Sequence, residues 1–299
     1  MRIGYLGLGQ MGGALARRLQ ASHPLRVFDL SSGAVQRLVD AGAKACSSGR
    51  ELAQHCDVVF TCLQTSEQVE SAIFAEDGLA SGLKAGGLIV DQTTGDAHAT
   101  RRMAARLKQL RLELIDAPVS GGPQYAAAGT IAIMAGGTPQ QYERIEPILK
   151  SISPNVFHCG DVGTGHVAKV CNNLMAASQR LLTFEVIALA VKNGLTPEQA
   201  VEVMLKSSGR NYTLDVTMRR HILPGELFQG FTLGLMQKDV GLAIQLAAGS
   251  DVPLFFGGLV RQFYQLIINE KGADADVNYA VKVFERLADV QITPAGKAG

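Results

Sequence analysis

Residues 2–20, RIGYLGLGQMGGALARRLQ, constrain the fold more than any other stretch of this sequence. A short apolar run of strand character passes through a turn carrying Gly7, Gly9 and Gly12 into a segment of helical period. In such a G-x-G-x-x-G turn the first glycine permits the tight bend and the second lets the backbone approach a diphosphate. The third lets the helix pack closely on the strand, with the helix N-terminus favouring negative charge. Leu8, Gln10 and Met11 complete the expected phosphate-binding turn. A second strand, LRVFD, ends at Asp29, 22 residues after Gly7, where a carboxylate can accept from adenosine ribose hydroxyls.

The same alternation continues through strands around 57–63 and 87–93 and through the helical DAHATRRMAARLKQL, for which Asp96 is the expected N-cap. It runs on through LELIDAPVSGG, GTIAIMAGG, PQQYERIEPILKSI and NVFHCG. This order predicts a doubly wound α/β domain of Rossmann type, mainly parallel, with helices on both faces. GDVGTG at 160–165 punctuates the chain, and the segments 165–193, 196–206, 234–248 and 254–270 have helical period and length. Pro197 suits a first helical turn and Gly194 a helix end. We therefore expect domain 1–163, then an all-α domain 164–293 entered through a long central helix. The closing TPAGKAG is expected to fray.

A net charge of +1 and 18% charged residues leave no electrostatic footprint for nucleic acid or anionic membrane. The longest apolar segment carries Arg180, Glu185 and Lys192, which argues against a membrane span. The start of the chain lacks a secretory pattern. The five cysteines show no CxxC spacing, and no His, Cys, Asp and Glu pattern suits a metal. Reduced thiols in a cytoplasmic compartment are expected.

Oxidising a hydroxyl-bearing carbon needs a proton acceptor. His98, His158 and His166 read as isolated, and His23, His55 and His221 show no pairing with acids. His166 is the best placed of them, although a structural or capping role suits it better. Lys169 and Asn173, four residues apart, share a helix face and can reach one oxygen. A desolvated lysine can relay a proton; equally, a lysine can snorkel from an apolar helix, and spacing does not decide between the two. Ser120, Gly121 and Gly122 offer a hydroxyl and backbone N–H groups to a carboxylate, or form an ordinary turn.

Taken together, GLGQMG, DQTT at 91–94, DAPVSGG at 116–122, GDVGTGHVAKVCNN at 160–173 and GFTLGLMQKD at 230–239 resemble the β-hydroxyacid dehydrogenase family, most closely its 3-hydroxyisobutyrate dehydrogenase branch. The resemblance implies Lys169 as catalytic lysine, Asn173 as its partner, and Ser120, Gly121 and Gly122 as the carboxylate turn. It implies Thr94 near the nicotinamide ribose, Lys238 closing the cofactor site and Phe231 walling the substrate pocket. Leu63 and Gln64 fall in the cofactor loop, where the family's MLP reads CLQ here, and Thr93 stands for the family's serine. The aspartate or tyrosine that replaces the lysine in imine-reducing relatives is absent.

The expected activity is hydride transfer between NAD(P) and a small β-hydroxy acid. Alternatives are reduction of a small semialdehyde, such as tartronate or succinic semialdehyde, and, in another class, a non-catalytic nucleotide sensor or scaffold. Asp29 would repel a ribose 2′-phosphate and no arginine or lysine follows it in DLSSGA, so NAD is expected over NADP. The apolar helices after residue 165 predict a homodimer or homotetramer.

Overall fold

The structure, a computed structural model, describes residues 1–294. Two compact units divide after Lys169. In the first, strands and helices follow in the order β1 (Ile3–Leu6), α1 (Gln10–Gln20), β2 (Leu25–Phe28), α2 (Ser32–Val39), β3 (Lys44–Ala45), α3 (Gly49–Gln54), β4 (Val58–Thr61), α4 (Ser66–Phe74), β5 (Leu88–Asp91) and α5 (Ala97–Gln109). Then come β6 (Glu113–Asp116), β7 (Val119–Ser120), α6 (Pro123–Ala128), β8 (Ala132–Gly136), α7 (Pro139–Ile152) and β9 (Val156–Gly160). They build one sheet ordered β3-β2-β1-β4-β5-β6-β8-β7, with β9 beside β8.

Side-chain alternation explains the two helical layers. Ile3, Tyr5, Val58, Phe60, Leu88 and Val90 pack on one face with Leu15, Leu19, Ile145 and Leu149 of α1 and α7. The intervening Leu6, Val59 and Ile89 pack on the other face with Leu52, Val69, Ile73, Met103 and Leu107 of α3, α4 and α5. Pairings from β3 through β6 are parallel, as expected. The continuation is not: β8 runs antiparallel to both β6 and β7, so GTIAIMAGG is a reversed strand and not a further parallel unit. The short connections through β7 and α6 leave no full crossover helix to bring the chain back parallel. Asp96 caps α5 by accepting from His98 N–H at 2.8 Å, as its position before the helical run predicts.

Helix α8 (Thr164–Lys192) begins in the first unit and continues into the second. The second unit adds α9 (Pro197–Leu205), a π-helical segment Thr213–Ile222, α10 (Leu233–Ala248), α11 (Phe255–Lys271) and α12 (Ala280–Ala288). Their core joins Leu181, Phe184 and Ile187 to Leu214, Met218, Val240, Tyr264 and Phe284. Helix α8 is long and apolar enough to cross a membrane by length and composition. Yet it buries these residues in that core, and Arg180, 4% exposed, donates within the unit to Asn278 and Gln229.

Two elements escaped the sequence reading. The π-helix carries Thr213, Val216 and Thr217, poor helix formers that blur its Leu214, Met218 and Ile222 stripe. Helix α12 is short, and Tyr279 at its N-cap makes no side-chain capping bond. The expected fraying fails at Thr293, which is buried and held by Glu285 through both its N–H and its hydroxyl. Residues 295–299 of that stretch lie outside the described residues.

Candidate functional site

In the β1–α1 turn two of the three glycines avoid collisions within the protein and the third does not. Gly7 has φ +91°, and a Cβ there would lie 2.4 Å from Cys62 O. A Cβ on Gly12 would lie 2.0 Å from Gly7 O, so that glycine is set by helix–strand contact. A Cβ on Gly9 would meet no protein atom within 4 Å, so no contact inside the protein excludes a side chain there. Helix α1 begins its own ladder with Gly13 N–H on Gly9 O at 2.8 Å, and its first turn carries no acidic residue. Its leading N–H groups and macrodipole suit a diphosphate, so the residues present fit a dinucleotide.

Leu8 itself is buried in the core and contributes only backbone to this turn, while Gln10 is exposed and Met11 packs partly inward. Asp29 is tied more closely to the turn than sequence suggests. Its Oδ2 accepts from Leu8 N–H at 2.6 Å and its Oδ1 from Ser31 N–H at 2.7 Å. The side chain is half-buried, and a carboxylate retains further lone pairs for ribose hydroxyls. In the departing CLQ loop, Leu63 N–H donates to Thr93 Oγ1 at 3.0 Å. Gln64 N–H donates to Gln68 Oε1 at 3.1 Å, so side chains hold this loop.

The turn after β5 is braced from three directions. Asp91 Oδ1 accepts from Thr61 Oγ1 and from Thr93 N–H, and Gln92 Oε1 accepts from Tyr5 Oη at 2.7 Å. Burial pushes the Tyr5 hydroxyl well above its ordinary pKa, so it stays a donor. This framework leaves Thr94 half-buried at the end of the sheet. Ser120 pairs with Ala132 in the antiparallel ladder, and Gly121, with φ +132°, turns the chain to Gly122 at the start of α6. The expected turn is therefore a strand end followed at once by a short helix.

The first turn of α8 is pinned by Asp116, whose Oδ1 accepts from Gly163 N–H at 2.5 Å and Oδ2 from His166 N–H at 2.7 Å. Burial raises the Asp116 pKa, against the lowering pull of His166 and these N–H groups. His166 is far from isolated, correcting the sequence expectation: it is fully buried, and its Nε2 donates to Thr93 O at 2.9 Å. Its Nδ1 shares a 2.9 Å hydrogen bond with the Thr100 hydroxyl. Lys169, one turn on, is 7% exposed.

Farther along α8, in the second unit, Asn173 is 8% exposed and its Nδ2 donates to Asp239 Oδ2 at 2.6 Å. Asn172 Nδ2 donates to Asn173 Oδ1, and Lys238 Nζ lies 3.1 Å from Asp239 Oδ1. Asp239 is the partner that sequence reasoning missed, although it stands in the quoted QKD. Phe231 packs against the helical core, and its backbone carbonyl accepts from Val277 N–H.

Comparison with known proteins agrees with this layout. A family model for the NAD binding domain of 6-phosphogluconate dehydrogenase matches residues 2–160. A second, for the NAD-binding of NADP-dependent 3-hydroxyisobutyrate dehydrogenase, matches residues 163–284. The chain is 37% identical over 291 residues to the NAD-dependent L-serine dehydrogenase of Pseudomonas aeruginosa, covering 95% of this chain and 98% of the relative. It is 34% identical over 294 residues to the 2-(hydroxymethyl)glutarate dehydrogenase of Eubacterium barkeri, covering 98% of each. The solved 3-hydroxyisobutyrate dehydrogenase of Mycobacterium tuberculosis, with L-serine, superposes with a TM-score of 0.87 at 30% identity, over 95% of this chain and 99% of that one. This chain belongs to the β-hydroxyacid dehydrogenase family and is an NAD(P)-binding oxidoreductase of the 3-hydroxyisobutyrate dehydrogenase type.

Proposed function

We propose that Lys169 carries the proton when this enzyme oxidises a primary alcohol β to a carboxylate, with NAD preferred over NADP. The observation that carries the reading is the burial of Lys169 at 7% exposure, one turn beyond a helix start fixed by Asp116. A snorkelling lysine keeps its head in water, whereas a lysine enclosed this far needs chemical employment. When bound, the nicotinamide would supply the hydride acceptor. As the carbinol carbon loses hydride, its hydroxyl proton passes to Lys169 Nζ, which starts as the neutral amine and ends as the ammonium, and the carbonyl product remains.

Asn173, four residues on along the helix, steadies the same oxygen; its amide is oriented by Asp239 and Asn172. Ser120 with the Gly121 and Gly122 backbone receives the carboxylate, and Thr94 meets the nicotinamide ribose. By the family pattern we assign Lys238 to the cofactor and Phe231 to the substrate. L-serine, 2-(hydroxymethyl)glutarate and 3-hydroxyisobutyrate, the compounds in the relatives' names, share a CH2OH group on the carbon bearing the carboxylate, which supports this substrate class. Asp29 favours NAD, because its charge opposes a 2′-phosphate. The five free cysteines, Cys46 and Cys56 buried among them, support work in a reducing, cytoplasm-like compartment.

Lys169→Met keeps the apolar stem and helix propensity, so NAD affinity and folding are expected to persist while turnover falls about 10²–10⁴-fold. In the parent the oxidation rate climbs with pH along a limb that the variant lacks. Near-parental turnover in the variant across a panel of these hydroxy acids removes Lys169 from the mechanism.

A further inference from the structure

We propose that His166 is a positioning residue that locks the first turn of α8 to the Thr93–Gly95 turn, and so fixes Lys169 relative to Thr94. The inference rests on the assignment of Lys169 as proton carrier. All the groups involved lie in the first unit.

The His166 ring touches the turn on both sides of Thr94. Nε2 donates to the carbonyl of Thr93, and a Cβ on Gly95 would come within 3.2 Å of the ring's Cε1. The same Cβ would lie 2.7 Å from Ser66 Oγ, so the glycine keeps this turn closely seated on both Ser66 and the ring. The other ring nitrogen is tied to Thr100 of α5, and the backbone N–H of the same residue is held by Asp116 at the end of β6. A single residue thus joins β6, α5, the turn after β5 and α8. Glycines reinforce the seat: a Cβ on Gly165 would lie 2.3 Å from Met134 O, and one on Gly136 would lie 2.7 Å from Gly165 N. Asp91 Oδ2 is buried, makes no hydrogen bond among the described residues, and lies 3.9 Å from His166 Nε2. A purely apolar side chain at 166 would leave the buried Thr93 carbonyl without the donor that the imidazole supplies.

This arrangement does more than cap a helix, since Asp116 already binds the N–H groups of Gly163 and His166 at the helix start. What the ring adds is rotational lock. A helix turned by roughly 10° about its axis moves a side-chain head by about 1 Å, and a misplacement of that size can cost about 10²-fold in rate. Lys169 follows His166 by three residues, so any rotation permitted at 166 is delivered to the lysine one turn later.

The test compares His166→Leu and His166→Gln with the parent, reading kcat per folded molecule, NAD affinity and the solvent deuterium isotope effect on kcat. For His166→Leu we expect kcat to fall about 10–100-fold, with NAD affinity within about threefold of the parent. The solvent isotope effect should rise, because misplacing the proton carrier makes proton transfer more limiting. The glutamine amide can donate to Thr93 O and accept from Thr100, so His166→Gln should recover most of the rate. Thr100→Val removes the Nδ1 link while leaving the ring, and serves if His166→Leu does not fold; it should lower kcat and raise the isotope effect in the same sense. Parental kcat per folded molecule and an unchanged isotope effect in the folded variants overturn the inference. A Lys169→Met enzyme that turns over normally defeats the underlying assignment instead, and the two failures are told apart by that variant.

Discussion

Single residues in the β1–α1 turn separate two functions that one motif combines. Gly12 answers to the protein, since a Cβ there would lie 2.0 Å from Gly7 O, whereas Gly9 has no protein atom within 4 Å of that position. Gly12→Ala should therefore destabilise the fold by about 3 kcal/mol or more. Gly9→Ala should leave the melting temperature nearly unchanged and weaken NAD binding, measured by calorimetry. Equal loss of stability in both variants would contradict this division. Asp29 belongs to the same scale. Asp29→Ala removes the partner of Leu8 N–H and Ser31 N–H along with the charge that opposes a 2′-phosphate, so NAD affinity should fall while the NADP-to-NAD ratio of kcat/KM rises. An unchanged ratio would show that Asp29 serves the turn alone.

At the scale of elements, the segment after α12 is fastened by one carboxylate. Glu285 accepts from the N–H groups of Ile292 and Thr293 and from the Thr293 hydroxyl, and lies 2.9 Å from Lys282. Burial raises its pKa, but these N–H, hydroxyl and lysine donors together outweigh burial and bring it below the ordinary value of 4.5. A carboxyl depressed in the folded state adds stability above its unfolded pKa and loses it as pH falls through the folded pKa. Glu285→Gln should accordingly cost about 1–2 kcal/mol near neutral pH, and the gap from the parent should close as the pH drops below about 4. Thermal melts of both proteins across that range measure it, and a gap independent of pH would rule out the carboxylate's charge as the cause.

For the whole molecule, the exposed apolar surface of the second unit is the feature the single chain does not account for. Met175, Leu182 and Leu189 recur every seven residues along α8 and are 60%, 59% and 64% exposed, while α11 exposes Phe255, Phe256, Leu259 and Leu266. Seven-residue spacing presents one continuous stripe to a partner helix. We propose that a second copy of the chain covers this surface, giving a dimer or tetramer. Leu182→Glu should shift sedimentation toward the monomer at micromolar concentration, and a parent that is itself monomeric there would refute the proposal.

Much of this architecture is legible in the sequence, because its causes are local. The glycines at 7 and 12, the period-two strands, Asp96 before α5, and Pro197 and Gly194 around their helix ends all act within a few residues through sterics and backbone hydrogen bonding. The family motifs added Lys169, Asn173 and the Ser120 turn as candidates. Tertiary structure alone decided the partners. Asp116 meets Gly163 and His166 across 47 and 50 residues, His166 meets Thr93 across 73, and Asn173 meets Asp239 across 66. No periodicity links such positions. A buried polar group takes whichever complementary group the packing brings within about 3 Å, and that choice is made only when strands, turns and helices from distant parts of the sequence have closed around it.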